Sequence, residues 1–127
     1  MKKYLVILLT AVFGLLLTGC TQATRATINV KVTKLLIPQS GVSVYMYNSS
    51  KWNNSESFRI PFHATKVSVT NKEGIAIFEL GRLDLEVIDS QSTFYFATFA
   101  EDEKTIIGST AVTIKSGDKK DVEIYLL

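Results

Sequence analysis

From residue 27 onward the chain is written mostly in alternation. Thr27-Ile28-Asn29-Val30-Lys31-Val32-Thr33 carries an apolar residue at every second position, the period of a half-buried strand. Gly41-Val42-Ser43-Val44-Tyr45-Met46-Tyr47 repeats the pattern. Val42, Val44 and Met46 share one face there, and Tyr45 and Tyr47 share the other. Pro38, Ser40 and Gly41 predict the turn between these two strands. Phe58, Ile60 and Phe62 predict a short extended edge, with Pro61 limiting its hydrogen bonding. Val67 and Val69 continue an extended stretch. Thr70-Asn71-Lys72-Glu73-Gly74 is the clearest turn, because Asn71 can bond its own backbone and Gly74 can take positive φ.

The second half follows the same rule. Ile75-Ala76-Ile77-Phe78-Glu79-Leu80 predicts a strand with Ala76, Phe78 and Leu80 inward. Gly81-Arg82-Leu83-Asp84 reads as a turn, and residues 85–88 as a short strand. Residues 93–100 are the most apolar segment of the predicted domain. Phe94 and Phe96 lie on one face, Tyr95 and Phe99 on the other. A central strand covered on both sides accounts for this, and so does an edge that meets a partner. Residues 105–114 form the next strand, with a bulge expected near Gly108. Val122, Ile124 and Leu126 close the chain in clean alternation. No segment forms a convincing amphipathic helix. About seven short strands with polar turns predict an all-β, antiparallel two-sheet sandwich, immunoglobulin-like or transthyretin-like.

The first twenty residues obey a different rule. Lys2 and Lys3 precede an apolar run over residues 4–17, and Leu17-Thr18-Gly19-Cys20 ends it. A bilayer span needs roughly 20 apolar residues, more than this run holds. A basic start, an apolar middle and a small-residue end are the three parts of an export signal. Cys20 is the single cysteine of the chain, so no internal disulfide is available. This arrangement resembles the signal peptide and lipobox of bacterial lipoproteins. The resemblance implies cleavage before Cys20, a diacylglycerol on its sulfur and an anchor in the cell envelope. Each buried methylene contributes about 0.8 kcal/mol, so two or three acyl chains hold durably. Residue 21 is Thr rather than Asp, for which the lipoprotein resemblance implies an outer-membrane destination. The expected organisation is a signal peptide over 1–19, a lipidated tether over 20–26 and a sandwich domain over 27–127.

Removing the signal changes the charge. The chain has 14 basic and 12 acidic residues, and two of the basic ones are Lys2 and Lys3. The remainder is balanced, without the concentrated basic face that nucleic-acid binding requires. Nucleic acid is therefore not an expected partner.

The order of motifs within 27–127 looks like the transthyretin-like or carboxypeptidase-regulatory-like sandwich. That family's hairpin carries a Thr-Asx-x-x-Gly-x-Ala-x-Phe pattern. It stands here as Thr70-Asn71-Lys72-Glu73-Gly74-Ile75-Ala76-Ile77-Phe78. The polar segment 48–57 departs from the compact family pattern. The resemblance implies an accessory, spacer or adhesion role without catalysis. Some related surface domains also form a Lys–Asn isopeptide bond, for which Lys31 and Lys34 are the candidate lysines.

The search for chemistry supports that expectation. His63 is the single histidine, and it has no cysteine to pair with once Cys20 is lipidated. Glu101-Asp102-Glu103 is the densest acidic run, but it lacks the regular spacing of a dedicated calcium loop. Asp84, Glu86 and Asp89 have no evident cleft in which to act as paired acids. No catalytic residue, metal site or cofactor is expected. The aromatics are the better lead. Trp52 lies in the polar segment just after Tyr45 and Tyr47, and the three together suggest a platform for a glycan or an envelope protein. The alternative is that Trp52 folds back over the sandwich and the two tyrosines fill the second face of their strand.

Overall fold

The structure, a computed structural model, describes residues 26–81 and 91–127. The expected signal, Cys20, the turn at 82–84 and the short strand at 85–88 lie outside the described residues, as do Asp84, Glu86 and Asp89. Among the described residues eight strands form: β1 (Ala26–Lys34), β2 (Ile37–Pro38), β3 (Ser43–Asn48), β4 (Lys66–Val69), β5 (Ile75–Leu80), β6 (Ser92–Phe99), β7 (Ile106–Ile114) and β8 (Lys119–Leu126). A one-turn helix, α1 (Ser49–Trp52), follows β3. Among the described residues β1 pairs with β2, β5 and β8 in one sheet, and the other runs β4-β3-β6-β7. The two sheets form the expected sandwich.

Alternation set the inner face. Ile28, Val30 and Val32 of β1 meet Val44 and Met46 of β3, Phe78 of β5, and Phe94 and Phe96 of β6 in one cluster. Phe78 and Phe96 touch across it at 5.0 Å. Each fully buried side chain of this size contributes roughly 1.5–3 kcal/mol, so this layer dominates stability.

One pairing differs from the antiparallel expectation. β1 and β8 run parallel, from Thr27 opposite Lys119 to Lys34 opposite Leu126. Parallel neighbours need a long connection, and here nearly the whole domain supplies it. The sheets also approach at a corner where β7 lies against β8. Gly108 sits there, and a Cβ on it would come within 2.5 Å of Ile124 Cγ2. The expected bulge lies beside it, since Thr98 pairs with Gly108 but Phe99 pairs with Ile106.

The chain first reverses at Leu35-Leu36, a turn the sequence pattern does not mark, and the expected turn follows at Ser40-Gly41, where Gly41 takes φ 74°. Both leucines have positive φ, 51° and 67°, as a two-residue type I′ hairpin requires. An L-residue held there costs roughly 1–2 kcal/mol. The expected strand at Phe58, Ile60 and Phe62 is absent. That stretch forms two 3-10 turns, Glu56–Phe58 and Pro61–His63. Pro61 opens the second turn, where its missing N–H costs nothing.

Thr70 ties the β2–β3 connection to the β4–β5 turn. Its buried hydroxyl donates to the Gln39 carbonyl at 2.6 Å and accepts from the Val42 N–H at 2.9 Å. Asn71 holds the turn beyond it, accepting from the backbone N–H groups of Glu73 and Ile75. Gly74, at φ 76°, lies so close to Pro38 that a Cβ would sit 2.9 Å from the proline Cβ. Thr70→Val keeps the shape and removes both hydroxyl bonds. The expected loss is about 1–3 kcal/mol, read from denaturant midpoints, and an unchanged midpoint would show that the tie is dispensable.

Candidate functional site

The second face of β3 and β6 is where the candidate residues meet. Tyr45 and Tyr47 of β3 lie opposite Ala97 and Tyr95 of β6. A sandwich normally turns this face to water, yet Tyr47 and Ala97 are completely buried. The cover is the polar segment between β3 and β4. Asn48 ends β3 and caps α1, its side chain accepting from the Lys51 N–H at 2.9 Å, as a helix N-cap does. That turn swings Trp52 back onto the sheet.

Trp52 then stacks flat on Tyr95, with ring centres 5.1 Å apart and planes 3° from parallel. Tyr47 also packs against the indole, its ring centre 5.4 Å away and its plane tilted by 55°. The Arg59 guanidinium lies 4.6 Å from the indole centre, and its Nε donates to the Trp52 carbonyl at 2.9 Å. This is a cation–π contact fixed by a hydrogen bond. The Tyr47 hydroxyl donates to the Ile60 carbonyl. Burial, with the nearby Tyr45 phenol adding to it, raises the Tyr47 pKa well above the ordinary phenol range. Helix, 3-10 turns and strand thus close into a roof over one sheet.

Of the three rings proposed as a platform, Tyr47 offers no surface and Trp52 is 9% exposed. The structure realises the folded-back alternative for these two. An aromatic platform needs an open ring face, and Tyr95, Tyr47 and Arg59 crowd the indole. Tyr45 alone remains half open. It meets Phe99 edge-on at 5.5 Å, and together they floor a hollow of about 560 Å³. Val42, Ile107 and Leu126 extend its apolar lining, Pro61 forms one wall, and Glu101 and Glu103 stand at the rim. Sequence reasoning missed Phe99, Arg59 and the hollow. The aromatic character of β6 was the available signal, whereas nothing local marks Arg59.

The remaining candidates disperse. His63 sits in the second 3-10 turn between Phe58 and Phe62, at 4.8 and 5.2 Å. Lys31 and Lys34 are exposed on β1, and the Asn29 amide is engaged with Asp121 at 2.9 Å. The desolvation that makes a lysine nucleophilic is missing at both. Among the described residues no group of three His, Cys, Asp or Glu side chains is placed to hold a metal. Glu101, Asp102 and Glu103 form the exposed β6–β7 tip.

No family model matches the chain, and no curated protein is similar to it in sequence. Several solved structures are similar to it. The SpaB basal pilin from Lactobacillus rhamnosus GG superposes with a TM-score of 0.52 at 15% identity, over 82% of this chain and 98% of that one. The Bacillus anthracis TIE protein gives 0.46 at 9% identity, over 82% of this chain. This chain spans 17% of the TIE protein's length. The pilin likeness bears out the β-sandwich.

Asp102 organises the tip. Its carboxylate accepts from the N–H groups of Lys104 and Thr105, each at 2.9 Å, and from the Thr105 hydroxyl at 2.6 Å. These bonds, the Thr105 hydroxyl first, lower its pKa to about 2. The folded pKa lies below the unfolded one, so the contribution to stability is complete above the ordinary range near ~4. It fades as pH falls through about 2. The Lys104 and Thr105 amide resonances are expected to titrate with that low midpoint, and a midpoint in the ordinary Asp range would contradict the turn geometry.

Proposed function

We propose that this chain is a lipid-anchored protein of the bacterial envelope, its folded part a non-enzymatic structural or protein-interaction module. The observation that carries the reading is Leu17-Thr18-Gly19-Cys20 after an apolar run, with Cys20 the only thiol. The fold supports it in two ways. First, the segment most suited to ligand binding, residues 48–64, spends its one tryptophan on roofing the sheet. Second, the topology gives the domain two unlike ends. β1 starts at Ala26, the last residue of the expected tether, while the connections at 35–36, 70–74 and 100–105 gather at the other end. That arrangement follows from the pairing of β1 with β5 and β8, and of β3 with β4 and β6. A lipid on Cys20 would leave these connections facing away from the bilayer, free to meet another envelope component. The proposed site is the outer membrane, with the domain in the periplasm.

The anchor is tested by metabolic labelling with an alkyne palmitate in a bacterial host. Wild type is expected to carry label and fractionate with membranes. Cys20→Ala is expected to lose the label and to run as the uncleaved precursor. An equally labelled Cys20→Ala protein would refute lipidation at this position.

A further inference from the structure

The end away from Ala26 carries an apolar projection and a recess of mixed apolar and polar lining side by side. Leu35, Leu36 and Ile37 are 80%, 86% and 63% exposed. Their hairpin is held in shape by pairing of Thr33 with Pro38 and Lys34 with Ile37, and by the Gln39 amide donating to the Ile37 carbonyl at 2.9 Å. Two leucines are thus fixed at positive φ and offered to water. Asn-Gly would satisfy the same turn without strain and without apolar exposure. Retained strain of this kind points to a role outside the fold. The recess is the hollow floored by Tyr45 and Phe99. Leu126 lines it and pairs with Lys34, so recess and projection adjoin.

We propose that two copies of this chain associate head to head, the Leu35-Leu36 tip of each entering the Tyr45–Phe99 hollow of the other. Three features select a second copy as the occupant. The hollow is apolar along Val42, Tyr45 and Phe99, matching the leucines. Its rim carries Glu101 and Glu103, and the tip carries the exposed Lys34, so the charges are complementary. Tip and hollow lie at one end of the molecule, which lets a two-fold axis satisfy both contacts at once. The rigid hairpin loses little freedom on docking. The contact is small and belongs to the transient class. It does not depend on the lipid on Cys20.

The test is sedimentation equilibrium of the full chain in density-matched detergent over a concentration series. Wild type is expected to show a reversible monomer–dimer equilibrium. Leu35→Asn with Leu36→Gly is expected to weaken it at least about tenfold while raising the thermal midpoint, because the turn strain is relieved. Glu101→Lys with Glu103→Lys is expected to weaken it comparably, and adding Lys34→Glu to that variant to restore it. Circular dichroism checks that each variant keeps its strand content. A wild type that stays monomeric overturns the proposal. So does a dimer indifferent to the tip substitutions, or one that the tip substitutions abolish but the rim charges leave unmoved.

Discussion

Strand β6 has two apolar faces, and the rest of the structure answers to that. Phe94 and Phe96 fill the space between the sheets, while Tyr95, Ala97 and Phe99 stand on the opposite side. A strand at the centre of a four-stranded sheet cannot turn such a face to water without exposing a large aromatic patch. The chain meets this constraint with residues 48–64, whose polar side chains face solvent and whose one tryptophan faces inward. The roof rests on few contacts, each tied to the next. Asn48 starts the helical turn, Trp52 lands on Tyr95, Arg59 closes over the indole, and Tyr47 reaches the Ile60 carbonyl. The roof ends where Thr65 N–H donates to the Met46 carbonyl, and β4 begins. Beyond Pro61 the aromatic face is left partly open, which creates the hollow over Tyr45 and Phe99.

Beyond the shared core, the two sheets are joined by two close contacts. Thr70 and Gly74 press the β4–β5 turn onto the β2–β3 connection at one end. Gly108 lets β7 approach β8 at the corner. The Thr98 hydroxyl, beside that glycine, is buried without a hydrogen-bond partner among the described residues. Such a group costs free energy, so the close corner packing carries a local penalty that the surrounding apolar contacts offset.

Much of the fold was legible because strand alternation is a two-residue signal and most strands here obey it. β1, β3, β5, β7 and β8 were placed within a few residues, as was the Asn71–Gly74 turn with its backbone-bonding asparagine. The β6 ambiguity was real, and only the arrangement of its neighbours settles it as a central strand. Phe58, Ile60 and Phe62 imitate strand alternation, but their contacts are local, with Phe58 and Phe62 both meeting His63. The Leu35-Leu36 reversal carries no glycine, asparagine or proline and gives no turn signal. β2 is two residues long, below what periodicity detects. Around the candidate site the sequence marked Tyr45, Tyr47 and Trp52 as related, and in the structure Tyr45 packs against the cluster that holds Tyr47 and Trp52. The sequence could not show which faces they use, because that depends on Arg59 and Tyr95, remote partners brought together by the roof.

Trp52 is the only tryptophan, so its fluorescence reports the roof alone. The most direct measurement is its emission maximum and acrylamide quenching in the native and urea-unfolded chain. The account predicts blue-shifted emission and strong protection in the native state, both lost together as the sandwich unfolds. Native emission at the position of free indole, with quenching as fast as in urea, would contradict it, because the aromatic face of β6 would then stand uncovered.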